Sequence, residues 1–263
     1  MKKLYNVRWG LALQLLLALR TPAPGIGLAR PGHHQSFTSG HTEWVSMTTP
    51  QPNKRFHVAP MQAYTNRHLR MLCRTLSKKA VLWTEMEKVG DLLVSAAAAD
   101  RRLSHDAAGN CVLQLGGNNI PSLQDACRLA NSYSFDEVNL NCGCPSIETG
   151  GADFGATLML DPKATGDMLR AMTDVSRAPV SIKCRLAAHP RLLDDGSLPV
   201  DEYDKLSAFV DSVSTRARSV SHWVVHCRAA VLAGLSPSKN RCAHHIQSAK
   251  QKKMKTIVVV LQA

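Results

Sequence analysis

The sequence predicts an α/β protein of the (β/α)8, TIM-barrel type, incomplete, with six to seven of the eight strands encoded. Three observations lead there. From residue 56 onward, short apolar runs alternate with longer segments of helical spacing, the pattern of a parallel sheet with helical crossovers. Six such units in one stretch favour a barrel over an open doubly wound sheet, and no Gly-x-Gly-x-x-Gly follows the first strand. Polar residues also collect at the ends of the expected strands, which is where a parallel barrel carries its chemistry.

Residues 1–50 stand apart from this alternation. Lys2, Lys3, Arg8, Arg20 and Arg30 accompany a Leu-rich run, and no carboxylate precedes Glu43. That is the makeup of an organelle-targeting leader, for a mitochondrion or a plastid, with a secretory signal or a disordered extension as the other readings. The apolar run from Leu11 to Leu19 is too short for a membrane span, which needs about 20 residues.

The barrel portion is expected over residues 51–241. Strands are expected at 56–59, 80–83, 112–115, 137–141, 180–183 and 222–226, and helices near 67–77, 122–132, 162–176 and 201–213. Pro121 and Pro162 suit first helical turns, where a missing N–H costs nothing. Residues 242–263 form a basic, then apolar tail in which 257–261 could supply a seventh strand. Nothing remains for an eighth, and an unpaired edge of β-branched residues is an aggregation liability.

The net charge of +12 arises at the two ends. Residues 1–42 carry five basic side chains and residues 237–263 six, with no acid in either, while the middle holds 21 basic against 20 acidic residues. A high overall pI is therefore weak support for a nucleic-acid surface. The eight cysteines are scattered through apolar segments with no Cys-x-x-Cys pair, which reads as reduced thiols. Cys142-x-Cys144, and Cys242 with His244 and His245, lack zinc-site spacing, so no metal is expected.

The candidate site is centred on Asn139 to Ser146. Val138 and Leu140 alternate with Asn139 and Asn141 as in a strand, and Gly143 and Pro145 end it where Cys144 would be presented. Other strands end comparably: Ala59-Pro60-Met61 on the first, Gln114 on the third, Lys183 and Arg185 on the fifth, and His226 with Arg228 on the sixth. Singly each has an ordinary explanation, as a satisfied core amide, a snorkelling lysine or a hydrogen-bonded core histidine. Together they describe one mouth.

These stretches resemble the tRNA-dihydrouridine synthases, most closely the A-type branch. The resemblance is carried by Val58-Ala59-Pro60-Met61 with Thr65, Thr84-Glu85-Met86, Leu113-Gln114-Leu115-Gly116-Gly117, Asn139-Leu140-Asn141 with Gly143-Cys144-Pro145-Ser146, Phe154-Gly155-Ala156, and Ser181-Ile182-Lys183-Cys184-Arg185. His226 with Arg228, Gly234-Leu235-Ser236-Pro237 and Asn240-Arg241 complete it, over roughly 70 per cent of the chain. The resemblance implies FMN at the barrel mouth, with Pro60, Met61 and Gln114 along the flavin ring and Lys183 and His226 near its polar edge. It implies NADPH as reductant, a hydride to C6 of a uridine in tRNA, and Cys144 as the acid that protonates C5. A thiol with an ordinary pKa of about 8.5 is protonated at neutral pH and able to donate. Asn141 and Arg185 are the candidates for the uracil edge, and Arg228 for RNA.

The chain departs from the family pattern at Asn66, usually Asp, at Ala229, often Lys, and at Glu148, where the A-type branch often has a basic residue. His189-Pro190-Arg191 lengthens one connection. Family members continue with two further strands that hold the FMN phosphate and a helical tRNA-gripping domain, neither of which is expected from the residues after Arg241. A C-terminally truncated, inactive form acting as a weak RNA- or protein-binding fragment is therefore one alternative. A barrel flavoenzyme for a small dihydropyrimidine is another.

Overall fold

The computed structural model describes residues 56–104, 109–145, 153–194 and 202–232, together with a strand at Val258–Gln262. The leader, Ser146, Glu148, the motifs at 234–237 and 240–241, and the basic part of the tail lie outside the described residues.

The chain opens with a short strand β1 (His57–Val58) and helix α1 (Arg67–Leu76), then β2 (Val81–Lys88), α2 (Val89–Leu92) and α3 (Ala96–Leu103). β3 (Cys111–Gly116), α4 (Ile120–Ala130) and β4 (Glu137–Cys142) follow, then a 3-10 turn at Gly155–Leu160 and α5 (Pro162–Thr173). β5 (Val180–Arg185), β6 (Ala188–His189), α6 (Glu202–Arg216), β7 (His222–His226), β8 (Ala230–Val231) and β9 (Val258–Gln262) complete it. The main sheet has the order β1-β2-β3-β4-β5-β7-β9, and its first six strands are all parallel. This bears out the expected incomplete barrel of β/α units, here a curled half-barrel.

Four of the helices begin where short polar side chains can accept orphan backbone N–H groups. Asn66 accepts from Leu69 N at 3.1 Å, Ser95 from Ala98 N at 3.1 Å, Asn119 from Ser122 N at 3.0 Å and Asp161 from Ala164 N at 3.0 Å. Pro121 and Pro162 occupy first turns as the spacing predicts. Asn66 thus does the capping work that an Asp would do there, so this departure from the family pattern leaves α1 with its cap.

Alternation sorts each strand between two faces. Leu113, Leu115, Val138, Leu140, Cys142, Val180, Ile182, Cys184, Trp223 and Val225 pack outward into one core with Leu123, Leu169, Met172 and Phe209 of the helices. Val81, Trp83, Val112 and Val224 form a separate apolar cluster on the other face. β2 and β7 are not neighbours in the sheet. The place of Val224 in one cluster with β2 and β3, neither of which neighbours β7, therefore means that the sheet curls around a concave interior, and a bond from His222 on β7 to Glu137 on β4 lies on the same face.

Three expectations are corrected. The second strand runs on through Lys88, past an irregularity between Trp83 and Met86, where residues 80–83 alone were expected. The alanine-rich helix α3 was not anticipated, because Ala96-Ala97-Ala98-Ala99 carries no apolar periodicity; its cap Ser95 was the available signal. The seventh strand exists, but β9 pairs antiparallel to β7, with Val224 opposite Val260, and so is not the next strand of a parallel barrel. The open edge of β7 offers N–H and C=O groups that a strand of either direction satisfies. The lengthened connection at His189 builds a small second sheet, with Ala188 paired to Ala230 and His189 to Val231.

Candidate active site

The polar residues of β4 and β5 fall on the concave face in matched rows, Asn139 beside Ser181 and Asn141 beside Lys183. Gln114 of β3 is 1% exposed and donates through Nε2 to Asn139 Oδ1 at 2.9 Å; its Oε1 accepts from Asn141 Nδ2 at 2.9 Å. Asn139 Nδ2 lies 2.7 Å from Ser181 Oγ, and the Ser181 hydroxyl donates to Glu137. Leaving any of these buried amides unpaired would cost about 1–3 kcal/mol, so the row is mutually dependent.

Asn141 Oδ1 then reaches past the strand end and accepts the backbone N–H of Gly143 at 3.0 Å and of Cys144 at 2.9 Å. This Asx-type turn presents the thiol. Arg185 Nε donates to Gly143 O at 2.8 Å, and Ala156 N donates to Cys144 O at 2.9 Å. Gly155 makes the second contact possible: its φ is +76°, and a Cβ there would lie 2.5 Å from Cys144 O. The Gly143–Cys144 turn is thereby held from three elements while the Cys144 side chain stays half-buried. Cys142, two residues earlier, is fully buried on the opposite face, where loss of hydration pushes its thiol well above 9.0.

Lys183 pairs in register with Asn141. Burial chiefly, then repulsion from Arg185, lowers its pKa to about 8, against the partial opposition of the Cys184 and Cys144 thiols. Arg185 pairs in register with His226, so both sit at the mouth end of their strands. Arg228, half-buried, follows in a tight turn whose N–H donates to His226 O at 2.6 Å and whose carbonyl accepts from Leu186 N at 3.3 Å.

Pro60 and Met61 occupy the loop after β1. Thr65 closes that loop, accepting from Met61 N at 3.0 Å and donating to Met61 O at 3.2 Å. Glu85, on β2, accepts the N–H of Ala63, which has a φ of 63°. The loop is therefore tied to β2, whose Met86 lies beside Gln114.

A family model described as dihydrouridine synthase (Dus) matches residues 57–261. The chain belongs to the dihydrouridine synthase family. It is similar to a Pseudomonas putida protein named tRNA-dihydrouridine(20/20a) synthase, 42% identical over 195 residues, which are 74% of this chain and 54% of that protein. Proteins of the same name from Xanthomonas campestris pv. campestris, at 37% over 201 residues, and from Escherichia coli strain K12, at 35% over 204 residues, cover 74% and 75% of the chain. The chain spans about half the length of these curated relatives, 54–56%.

Within this half-barrel, Gln114, Asn141, Lys183, Arg185 and His226 stand on four adjacent strands and Cys144 just past the end of β4, with Pro60 and Met61 on a loop braced by the same sheet. Arg228 is one turn further. Asn139, Ser181, Glu137 and His222 were assigned no role from the sequence, although Glu137, Asn139 and Asn141 recur every second residue and so had to share a face. Among the described residues no cluster of three or more His, Cys, Asp or Glu side chains could hold a metal, and no helix is long and apolar enough to cross a membrane.

Proposed function

We propose that this chain is the catalytic barrel portion of a flavin-dependent reductase of uridine in tRNA. The observation that carries the reading is the Cys144 turn, a half-buried thiol fixed by Asn141, Arg185 and Gly155 at the strand ends that also carry Gln114 and Lys183.

The donor set suits FMN. Pro60 and Met61 offer apolar contact, Gln114 an amide, and Lys183 a cation whose pKa is lowered by burial first and by Arg185 second, both of which a bound negative group would offset. Pro60, Met61 and Gln114 would line the ring, and Lys183 and His226 its polar edge. Reduced by NADPH, the flavin would supply the hydride that adds to C6 of the uridine. Cys144 holds the proton that C5 receives as charge builds on C5 and O4. Asn141 keeps one Nδ2 hydrogen beyond its bond to Gln114, and with Arg185 it would orient the uracil edge. The target base has to leave its stack to reach this mouth, so the tRNA would be recognised through shape and backbone, with Arg228 near the opening. The names of the relatives make positions 20 and 20a the first to examine.

The test is to incubate the purified full chain with FMN, NADPH and unmodified tRNA, and to measure dihydrouridine by mass spectrometry. Turnover is expected, with Cys144→Ala lowering it by at least ~100-fold, the scale of a lost general acid. A colourless protein that takes up no FMN would defeat the reading, and tRNA binding without flavin would favour an inactive binding fragment. Reduction of free uracil without tRNA would point to the small-dihydropyrimidine enzyme. The basic leader supports delivery to a mitochondrion or plastid, which imaging a fluorescent fusion of residues 1–50 would check.

A further inference from the structure

The hydrogen bonds along the concave face form one continuous chain from the far end of the strands to the Cys144 turn, and the groups at its two ends have required directions. At the mouth Asn141 Oδ1 has to accept, because the groups it meets are the backbone N–H of Gly143 and Cys144. That makes Asn141 Nδ2 the donor to Gln114 Oε1 and Gln114 Nε2 the donor to Asn139. At the other end Glu137, as a carboxylate, can only accept. It accepts the hydrogen bond of the Ser181 hydroxyl and leaves Ser181 Oγ to accept from Asn139 Nδ2. His222 Nδ1, 2.6 Å from Glu137 Oε2, occupies the second carboxylate oxygen from across the interior.

Asn139 is the junction where this direction can reverse. Turned over, its oxygen would accept from Ser181 Oγ at 2.7 Å and from the Lys183 backbone N–H at 3.3 Å, while its Nδ2 would meet Leu140 O at 3.3 Å. Those backbone contacts favour the turned state locally. It would, however, set the Asn139 NH2 against the Gln114 NH2. Turning Gln114 as well moves the clash to Asn141, whose oxygen the Cys144 turn requires. The outcome depends on whether the Ser181 hydroxyl has a better acceptor than Asn139. Glu137 is that acceptor, taking the Ser181 hydroxyl bond in the structure.

We propose that Glu137, braced by His222, is a positioning residue for Cys144. As terminal acceptor of a one-way chain through Ser181, Asn139, Gln114 and Asn141, it sets the Gln114 amide and holds the turn that presents the thiol. At about 3.3 Å of rise per residue, it acts on Asn141 from roughly 13 Å along the same strand. The catalytic importance of this rests on the proposed function, whereas the chain itself can be tested without flavin or RNA.

The experiment compares Glu137→Gln, which keeps an oxygen for Ser181 to donate to, with Glu137→Leu, which keeps bulk without an acceptor. The readout is the rate of iodoacetamide alkylation of Cys144 in the full chain, resolved by peptide mass spectrometry, with half-buried Cys227 as internal control. The Leu variant is expected to change the Cys144 rate about fivefold, the scale of one neutral hydrogen bond, while the Gln variant stays within about twofold. Should the Leu variant not fold, Ser181→Ala breaks the same link by removing one hydroxyl and is expected to behave likewise. Wild-type alkylation in the folded Leu or Ala variant, equal shifts in Gln and Leu, or parallel changes at Cys227 would each overturn the proposal. A chain that binds no FMN would defeat the functional reading and leave this comparison standing.

Discussion

Gly155 shows how narrowly the Cys144 turn is determined at the residue scale. Its positive φ is a conformation that side chains with a Cβ adopt only with strain, and the carbonyl of Cys144 occupies the space a Cβ would need. Gly155→Ala should therefore destabilise by about 1–3 kcal/mol, read by urea unfolding. A variant as stable as the parent would show that the turn relaxes freely. Cys144 and Asn141 were visible in the sequence because a Gly-Cys-Pro ending on an alternating strand has few other uses. Gly155 was visible only as part of a motif; what it touches lies eleven positions back in the chain, across residues that carry no local signal for the contact.

At the scale of elements, α1 carries the family departure with the clearest physical outcome. Asn66 and Asp are near-equal caps, so Asn66→Asp should leave unfolding within a few tenths of a kcal/mol, while Asn66→Ala should lose about 1 kcal/mol. Equal stability of the Ala variant in a urea titration would remove the cap from the account. Strand β4 was the most legible element, since its period-two pattern assigns Val138, Leu140 and Cys142 to the helices and Glu137, Asn139 and Asn141 to the interior. α3 was illegible because alanine fits a helix without marking a face. The direction of β9 was illegible as well, because an apolar run of β-branched residues suits either side of a ladder.

The whole molecule has a pH dependence set by its buried thiols. Burial raises Cys111 to about 11 and Cys127 and Cys184 to about 12, and lifts Cys142 well above 9.0. Below 9.0 folded and unfolded chains both keep these protons, so stability does not depend on them. Above 9.0 the unfolded chain releases protons that the folded chain retains, and stability falls until the folded values are passed. Lys183 works the other way between about 8 and 10.5, where the unfolded chain holds the extra proton, but it is one group against five thiols, since burial also raises Cys73. Urea unfolding of the reduced protein should accordingly show a loss of stability from about pH 9 upward, made shallower by Cys127→Ala. A flat or rising profile above that pH would contradict the assigned burial of the thiols.

By itself the sequence determined the β/α alternation, the inward and outward sides of each strand, and the set of polar strand ends that the family resemblance turned into a candidate flavin site. These are local properties, written in periods of two and 3.6 and in turn residues. Only the tertiary structure decided that the sheet curls far enough for His222 to meet Glu137, that five side chains on β3, β4 and β5 join into one directed chain, and that its end holds the Cys144 turn. The contacts between strands join residues 25 to 85 positions apart. Their partners are chosen by register and curvature, which no single stretch of sequence specifies.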